Sequence, residues 1–254
     1  MKEVIRKKII FWLALIVGII AVIGACKKSD DSTATTTTAA CSSSLSTTAS
    51  GTLTGMTSTM GVDNMTGTYS MSWYGATPTA GCIDNGTAVA AIIGYNAKPS
   101  DSINMKFQII VTSSTSFTDL ITYYSDNNSC NTVSGYHATS YTNVTVGDNV
   151  TTDNTNADPW PTYGTKVSYK DTCFMAKGVT DTATAFINAM SNVSGAVTGT
   201  ELNKSGSGYT YYNIMALNDN HSVDTNDWFY LGPKLTTGYP DNYSVGDGGD
   251  VMFQ

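Results

Sequence analysis

Hydrophobic and polar positions alternate with a period of two, in short bursts, along most of the chain beyond residue 64. Tyr69, Met71 and Trp73 are separated by Ser70 and Ser72, and Ile103, Met105, Phe107 and Ile109 by Asn104, Lys106 and Gln108. Phe117, Ile121 and Tyr123 share one face of the next run. Further β-like runs cover Val133 to Val144, Gly164 to Lys170, Tyr209 to Leu217, Asp227 to Leu231 and Asp250 to Phe253, with polar turn clusters such as Ser125-Asp126-Asn127-Asn128 between them. Successive side chains of a strand point to opposite faces, so this pattern predicts strands with one buried face. Frequent turns between such runs predict an antiparallel sheet that closes as a barrel or sandwich. One stretch departs from the period. Thr180 suits a helix N-cap, Asp181 its first turn and Gly195 its end. Between them Ala183, Phe186, Met190 and Val193 recur at three- and four-residue steps, which predicts one helix packed on the sheet. Thr87 to Tyr95 fits a short helix or an extra strand equally well.

The start of the chain reads differently. Lys2, Arg6, Lys7 and Lys8 precede an unbroken apolar run from Ile9 to Ile23, followed by Gly24, Ala25 and Cys26. A basic start, an apolar run and small residues before a cysteine read as a bacterial export signal ending in a lipobox. The run is shorter than the roughly 20 residues that span a bilayer. The expectation is cleavage before Cys26 and lipidation of its thiol. A membrane partner through that lipid follows, made durable by two or three acyl chains at about 0.8 kcal/mol per buried CH₂. Lys27, rather than Asp, predicts sorting to the outer membrane, facing the periplasm or the cell surface. From Ser29 to Thr59, 19 of 31 residues are Ser or Thr, so little apolar surface is available to offset ordering entropy. The predicted organisation is a signal peptide over 1–25, a lipidated cysteine with a disordered tether over 26–63, and a folded β domain over 64–254.

Composition narrows the function classes. Removing the signal leaves 9 basic and 19 acidic residues, no arginine, and Glu201 as the one glutamate. Such a surface argues against nucleic acid, whose phosphates need cations to replace their counterions. With Cys26 spent on lipid, Cys41, Cys82, Cys130 and Cys173 remain, and an even number of thiols in an oxidising compartment predicts disulfides. Spacing leaves all three connectivities open. No Cys-x-x-Cys pair supports a metal site, and His137 and His221 are the only histidines. The Asp-rich stretches Asp219–Asp227 and Asp247–Asp250 lack the ligand spacing of a calcium loop and read as solvated turns.

Several motifs, in order, resemble the lipocalin-like domain of bacterial surface lipoproteins. Gly67-Thr68-Tyr69 through Trp73, with Cys82 soon after, is similar to that family's opening strand. Thr122-Tyr123-Tyr124-Ser125-Asp126, ending in Ser129-Cys130, resembles its third-strand hairpin. Tyr163-Gly164-Thr165-Lys166, the helix after Thr180, Trp228-Phe229-Tyr230-Leu231-Gly232 and Gly238-Tyr239-Pro240 complete the series. The resemblance implies an all-β, antiparallel lipocalin-like barrel of about eight strands with one helix. It also implies a Cys82–Cys130 bridge, leaving Cys41 and Cys173 as a possible second pair.

No catalytic residue stands out. A nucleophile elbow, Gly-x-Ser-x-Gly, is missing, and His221 beside Asp219, Ser222 and Asp224 reads as a turn residue. One glutamate offers poor material for a paired-carboxylate glycosidase. The expected function is therefore non-enzymatic, without cofactor: binding of a small apolar or amphipathic ligand in a cavity lined by Tyr69, Met71, Trp73, Met105, Phe107, Ile109 and Tyr123. The alternative is a surface interaction or adhesion protein, its protein partner unidentified, with a filled barrel as scaffold.

Overall fold

The alternating runs form strands, and their inward faces meet. The computed structural model describes residues 41, 46, 48–58, 61–72, 82–84, 98–126, 130–152, 161–218, 228–243 and 251–253. The leader, Cys26, Trp73, the 87–95 stretch, His221 and both Asp-rich stretches lie outside the described residues. The strands are β1 (Thr52–Ser58), β2 (Gly61–Thr66), β3 (Thr68–Ser72), β4 (Ile83–Asp84), β5 (Asn104–Ser113), β6 (Ser116–Tyr124), β7 (Val133–Thr151), β8 (Tyr163–Gly178), β9 (Leu202–Ser205), β10 (Thr210–Asn218), β11 (Trp228–Leu231) and β12 (Val251–Phe253). The helix is α1 (Asp181–Ala189). Strands β3, β5, β6, β7, β8, β10, β11 and β12 pair antiparallel in that order, and β12 returns to β3. The result is a nearly closed up-and-down barrel. β8 holds two partners on one edge: β10 along Thr165–Lys170 and β9 along Cys173–Ala176.

Aromatic residues dominate the middle of the barrel. Phe117, Tyr141 and Tyr169 form a triangle with every pair of ring centroids 4.9 Å apart. Tilted and edge contacts of this kind add about 0.5–1.5 kcal/mol each beyond area burial. Lys234 reaches over this triangle. Its ammonium lies 4.9 Å from the Tyr141 ring centroid and 5.1 Å from that of Tyr211, and donates to the Tyr141 hydroxyl at 2.5 Å.

Three sequence expectations need correction. Residues 52–58 and 61–63 are not tether: β1 and β2 pair antiparallel, and their Leu53, Met56 and Met65 are fully buried in the barrel's main core. β1 contacts β5, β7, β8 and β10, so the hairpin plugs one end of the barrel. Its Thr57 amide donates to Thr165 Oγ1 at 2.7 Å. Gly55, at φ +90°, supplies an extra residue in the ladder, so Leu53 and Met56 both face inward although three apart. Second, Ile103 is exposed rather than inward-facing, because β5 begins one residue later and the alternation does not extend back to it. Third, α1 stops at Ala189 rather than near Gly195. Met190 is already extended, and Asn192, at φ 62°, turns the chain back. Its buried face is Ala183, Thr184 and Ile187, while Phe186, Met190 and Val193 are only partly covered.

The helix start matches the expectation. Thr180 Oγ1 accepts from the Ala183 amide at 3.1 Å and donates to Asp101 Oδ2 at 2.7 Å. Thr180→Ala removes this cap, and the unfolding free energy from urea titration should fall by about 1 kcal/mol. Both disulfides form: Cys82–Cys130 ties β4 to the β6–β7 connection, and Cys41–Cys173 ties the segment before β1 to β8. Among the described residues no helix is long and apolar enough to cross a membrane.

Candidate functional site at the barrel mouth

Six of the seven residues expected to line a cavity come together, but as packing. Tyr69, Met71, Met105, Phe107, Ile109 and Tyr123 are all buried in one apolar cluster, which the plug hairpin's Leu53, Met56 and Met65 also join. Trp73 lies outside the described residues. The interior at this level is therefore occupied by side chains.

Open space lies at the end away from the plug. A cleft of about 850 Å³ runs between α1 with its following turn on one side and the β8–β9 edge on the other. Its floor belongs to the inside of the barrel. Tyr141 faces the core, so Gly135, His137 and Thr139 at two-residue steps along β7 face the same way. His137 and Thr139 both line the cleft, as does Phe174, which pairs with Thr139 in the ladder. Phe186 and Met190 of the helix end form the opposite wall, and Lys204 and Tyr209 stand at the rim.

Local structure fixes both walls. Gly178 and Gly135, paired across β8 and β7, let the helix lie directly on the strands. A Cβ on Gly178 would sit 2.5 Å from the Thr184 amide nitrogen, and one on Gly135 would sit 2.9 Å from Ala183 Cβ. Asn188 clamps the chain leaving the helix: its Nδ2 donates to the Ala196 carbonyl at 3.0 Å and its Oδ1 accepts from the Ala196 amide at 2.9 Å. Across the cleft, Asp171 Oδ2 accepts from the Ser207 amide at 3.0 Å and from its hydroxyl at 2.8 Å, holding the turn between β9 and β10.

His137 is the unusual group in this site. Its side chain is about nine-tenths buried, at 8% relative exposure. The ring lies between Phe174, at 6.1 Å, and Tyr123, at 5.8 Å. Among the described residues the ring makes no hydrogen bond, and the buried Nδ1 has no partner. Burial lowers its pKa from 6.5 to about 4, so the imidazole is neutral at pH 7.

A second polar group lies deeper on the same inward face. Asp119, opposite Thr139 and Ile109 in the ladders, is raised to about 6 by burial, partly offset by the charge of Lys234 and by the Tyr141 hydroxyl. The same burial, reinforced by the negative charge of Asp119, pushes the Tyr141 and Tyr169 hydroxyls above their ordinary range. Among the described residues no group of three His, Cys, Asp or Glu side chains could hold a metal ion. No serine, cysteine or carboxylate is hydrogen-bonded to His137 among them. The arrangement suits recognition: an apolar slot whose lining residues include two unsatisfied buried polar atoms, His137 Nδ1 and Asp171 Oδ1, with a few polar rim groups. Compared with known proteins, the chain matches no protein-family model and no curated sequence.

Proposed function

We propose that this protein is an outer-membrane lipoprotein, anchored through Cys26, whose lipocalin-like barrel binds a small amphipathic molecule without transforming it. The observation that carries the reading is the cleft at the barrel mouth. At about 850 Å³ it falls in the range of small-molecule sites, and Phe174, Phe186 and Met190 give it an apolar lining beside a few polar groups. The site lies above the aromatic core rather than in it. The neutral fluorophore N-phenyl-1-naphthylamine should bind saturably and brighten. Met190→Glu, at a half-covered wall position, should weaken binding at least about tenfold while the circular dichroism spectrum stays unchanged, because a carboxylate would have to be desolvated.

A second reading is favoured by the packed interior. Here the barrel is a scaffold for surface interaction, and its filled middle exists for rigidity. Unsaturable fluorophore binding, or binding indifferent to Met190→Glu, selects this reading. Anchoring is tested separately. Cys26→Ser, expressed with its own leader, should move the protein out of the detergent phase and leave the leader uncleaved. Unchanged partitioning and processing would refute the lipid anchor.

A further inference from the structure

The cleft contains a polar atom with no work in the free protein. His137 Nδ1 is buried, unpartnered among the described residues, and belongs to a side chain that lines the cleft floor. A buried polar atom without a partner costs about 1–3 kcal/mol. At the walls of the same cleft Asn188 makes two hydrogen bonds and Asp171 makes two through Oδ2, while Asp171 Oδ1 is, like His137 Nδ1, buried and without a partner among the described residues. Phe174 and Tyr123 flank the His137 ring and present flat apolar surface beside it.

Resting on the small-molecule reading above, we infer that the ligand is a hydroxylated apolar molecule, a phenol or alicyclic alcohol, whose hydroxyl bonds His137 while its body lies along Phe174, Phe186 and Met190. Three observations select a neutral hydroxyl over other head groups. A neutral imidazole carries one N–H and one bare nitrogen, and a hydroxyl can donate or accept, so it satisfies Nδ1 in either tautomer. Burial keeps the ring neutral, so it offers no charge to an anionic head. The Asp171 carboxylate in the cleft wall disfavours an anion and its unpartnered Oδ1 calls for a donor such as a hydroxyl, while Lys204 at the rim disfavours a cation.

Displacement of bound N-phenyl-1-naphthylamine by two shape-matched probes tests this. 2-Naphthol should bind about ten- to a hundredfold more tightly than 2-methylnaphthalene, because the methyl group leaves the buried nitrogen unpaired. The protein has two histidines, so ring-¹⁵N spectra resolve them readily. 2-Naphthol should shift the His137 nitrogens and leave those of His221 in place. His137→Phe should erase the preference for the hydroxyl while 2-methylnaphthalene still binds. If that variant does not fold, the nitrogen shift in the unaltered protein decides. Equal affinities for the two probes, or 2-naphthol binding without a His137 shift, would overturn the hydroxyl assignment while small-molecule binding stands. Failure of every probe, the fluorophore included, would overturn both.

Discussion

Gly178→Ala should lower the unfolding free energy by about 3 kcal/mol, the upper end of what overpacking a filled site costs. The added methyl would sit 2.1 Å from Thr184 Oγ1, 2.5 Å from its amide nitrogen and 2.6 Å from its Cα. Two of those atoms are helix backbone, so no rotamer change relieves the contact, and α1 must lift from β8. Ala183, Thr184 and Ile187 then lose their seat, and the Phe186–Tyr123 contact at 5.4 Å opens. Urea denaturation measures the loss. Fluorophore binding should fall with it, because the helix forms one wall of the cleft. Gly195→Ala serves as the control: no atom lies within 4 Å of the added methyl, and its cost is confined to the strain of its φ of +86°. A Gly178 variant as stable as the parent would show that the helix seat is not tightly determined.

The second large effect is concealed in the parent protein and should appear in variants. His137 has a folded pKa of about 4 against 6.5 when unfolded. As pH falls below 6.5 the unfolded chain takes up a proton that the fold refuses, and stability drops until pH 4. Asp119 has a folded pKa of about 6 against 3.8. Between those values the fold holds a proton that the unfolded chain has released, so stability rises as pH falls. At about 1.4 kcal/mol per pKa unit each effect approaches roughly 3 kcal/mol, and over pH 4 to 6 they oppose each other. Asp119→Asn leaves the histidine effect alone, so this variant should lose about 3 kcal/mol relative to the parent as pH falls from 7 to 4. His137→Phe should gain a similar amount over the same range. Unfolding free energies of the three proteins at pH 4, 5, 6 and 7 measure this. Parallel profiles would show that neither group is desolvated as its surroundings imply.

Much of the fold was legible because alternation is a strong signal where one face is buried. β3, β5, β6, β10 and β11 fall on the runs that show it, and the helix start was readable from Thr180 and Asp181. The plug hairpin was not legible. Its sequence is dominated by Ser and Thr, and the extra residue at Gly55 breaks the period that would have linked Leu53 to Met56. The cleft was hidden for related reasons. The inward residues of β7 are Gly135, His137 and Thr139, while Tyr136 and Ala138 point outward, so polarity there runs against the expected pattern. On β8, counting by twos from Tyr169 places Phe174 on the outer face. The ladder skips Thr172, pairing Tyr141 with Asp171 and Ser140 with Cys173, so Phe174 turns inward on the same face as Asp171. Both disulfide pairings followed from the resemblance and the arithmetic of four thiols. Tyr69, Phe107 and Tyr123, chosen as cavity lining, fall in one buried cluster, but side-chain volume, which periodicity does not report, fills the space between them.

The plug also dictates an order of events. A chain emerges from synthesis N-terminus first, so Leu53 and Met56 appear long before β7, β8 and β10, the strands whose contacts bury them. The β5–β6–β7–β8 meander needs only neighbouring hairpins and can form early, since short loops close at little entropic cost. The pair of thiols 48 residues apart can meet at that stage, whereas the pair 132 residues apart must wait for β8. The first strands made can thus dock only after β10, the latest of their partners, has been made. Interactions that form after the rate-limiting step act on escape from the native state, so truncating Leu53 or Met56 should accelerate unfolding and leave the refolding rate nearly unchanged. That outcome would make the hairpin a latch on a meander formed before it docks.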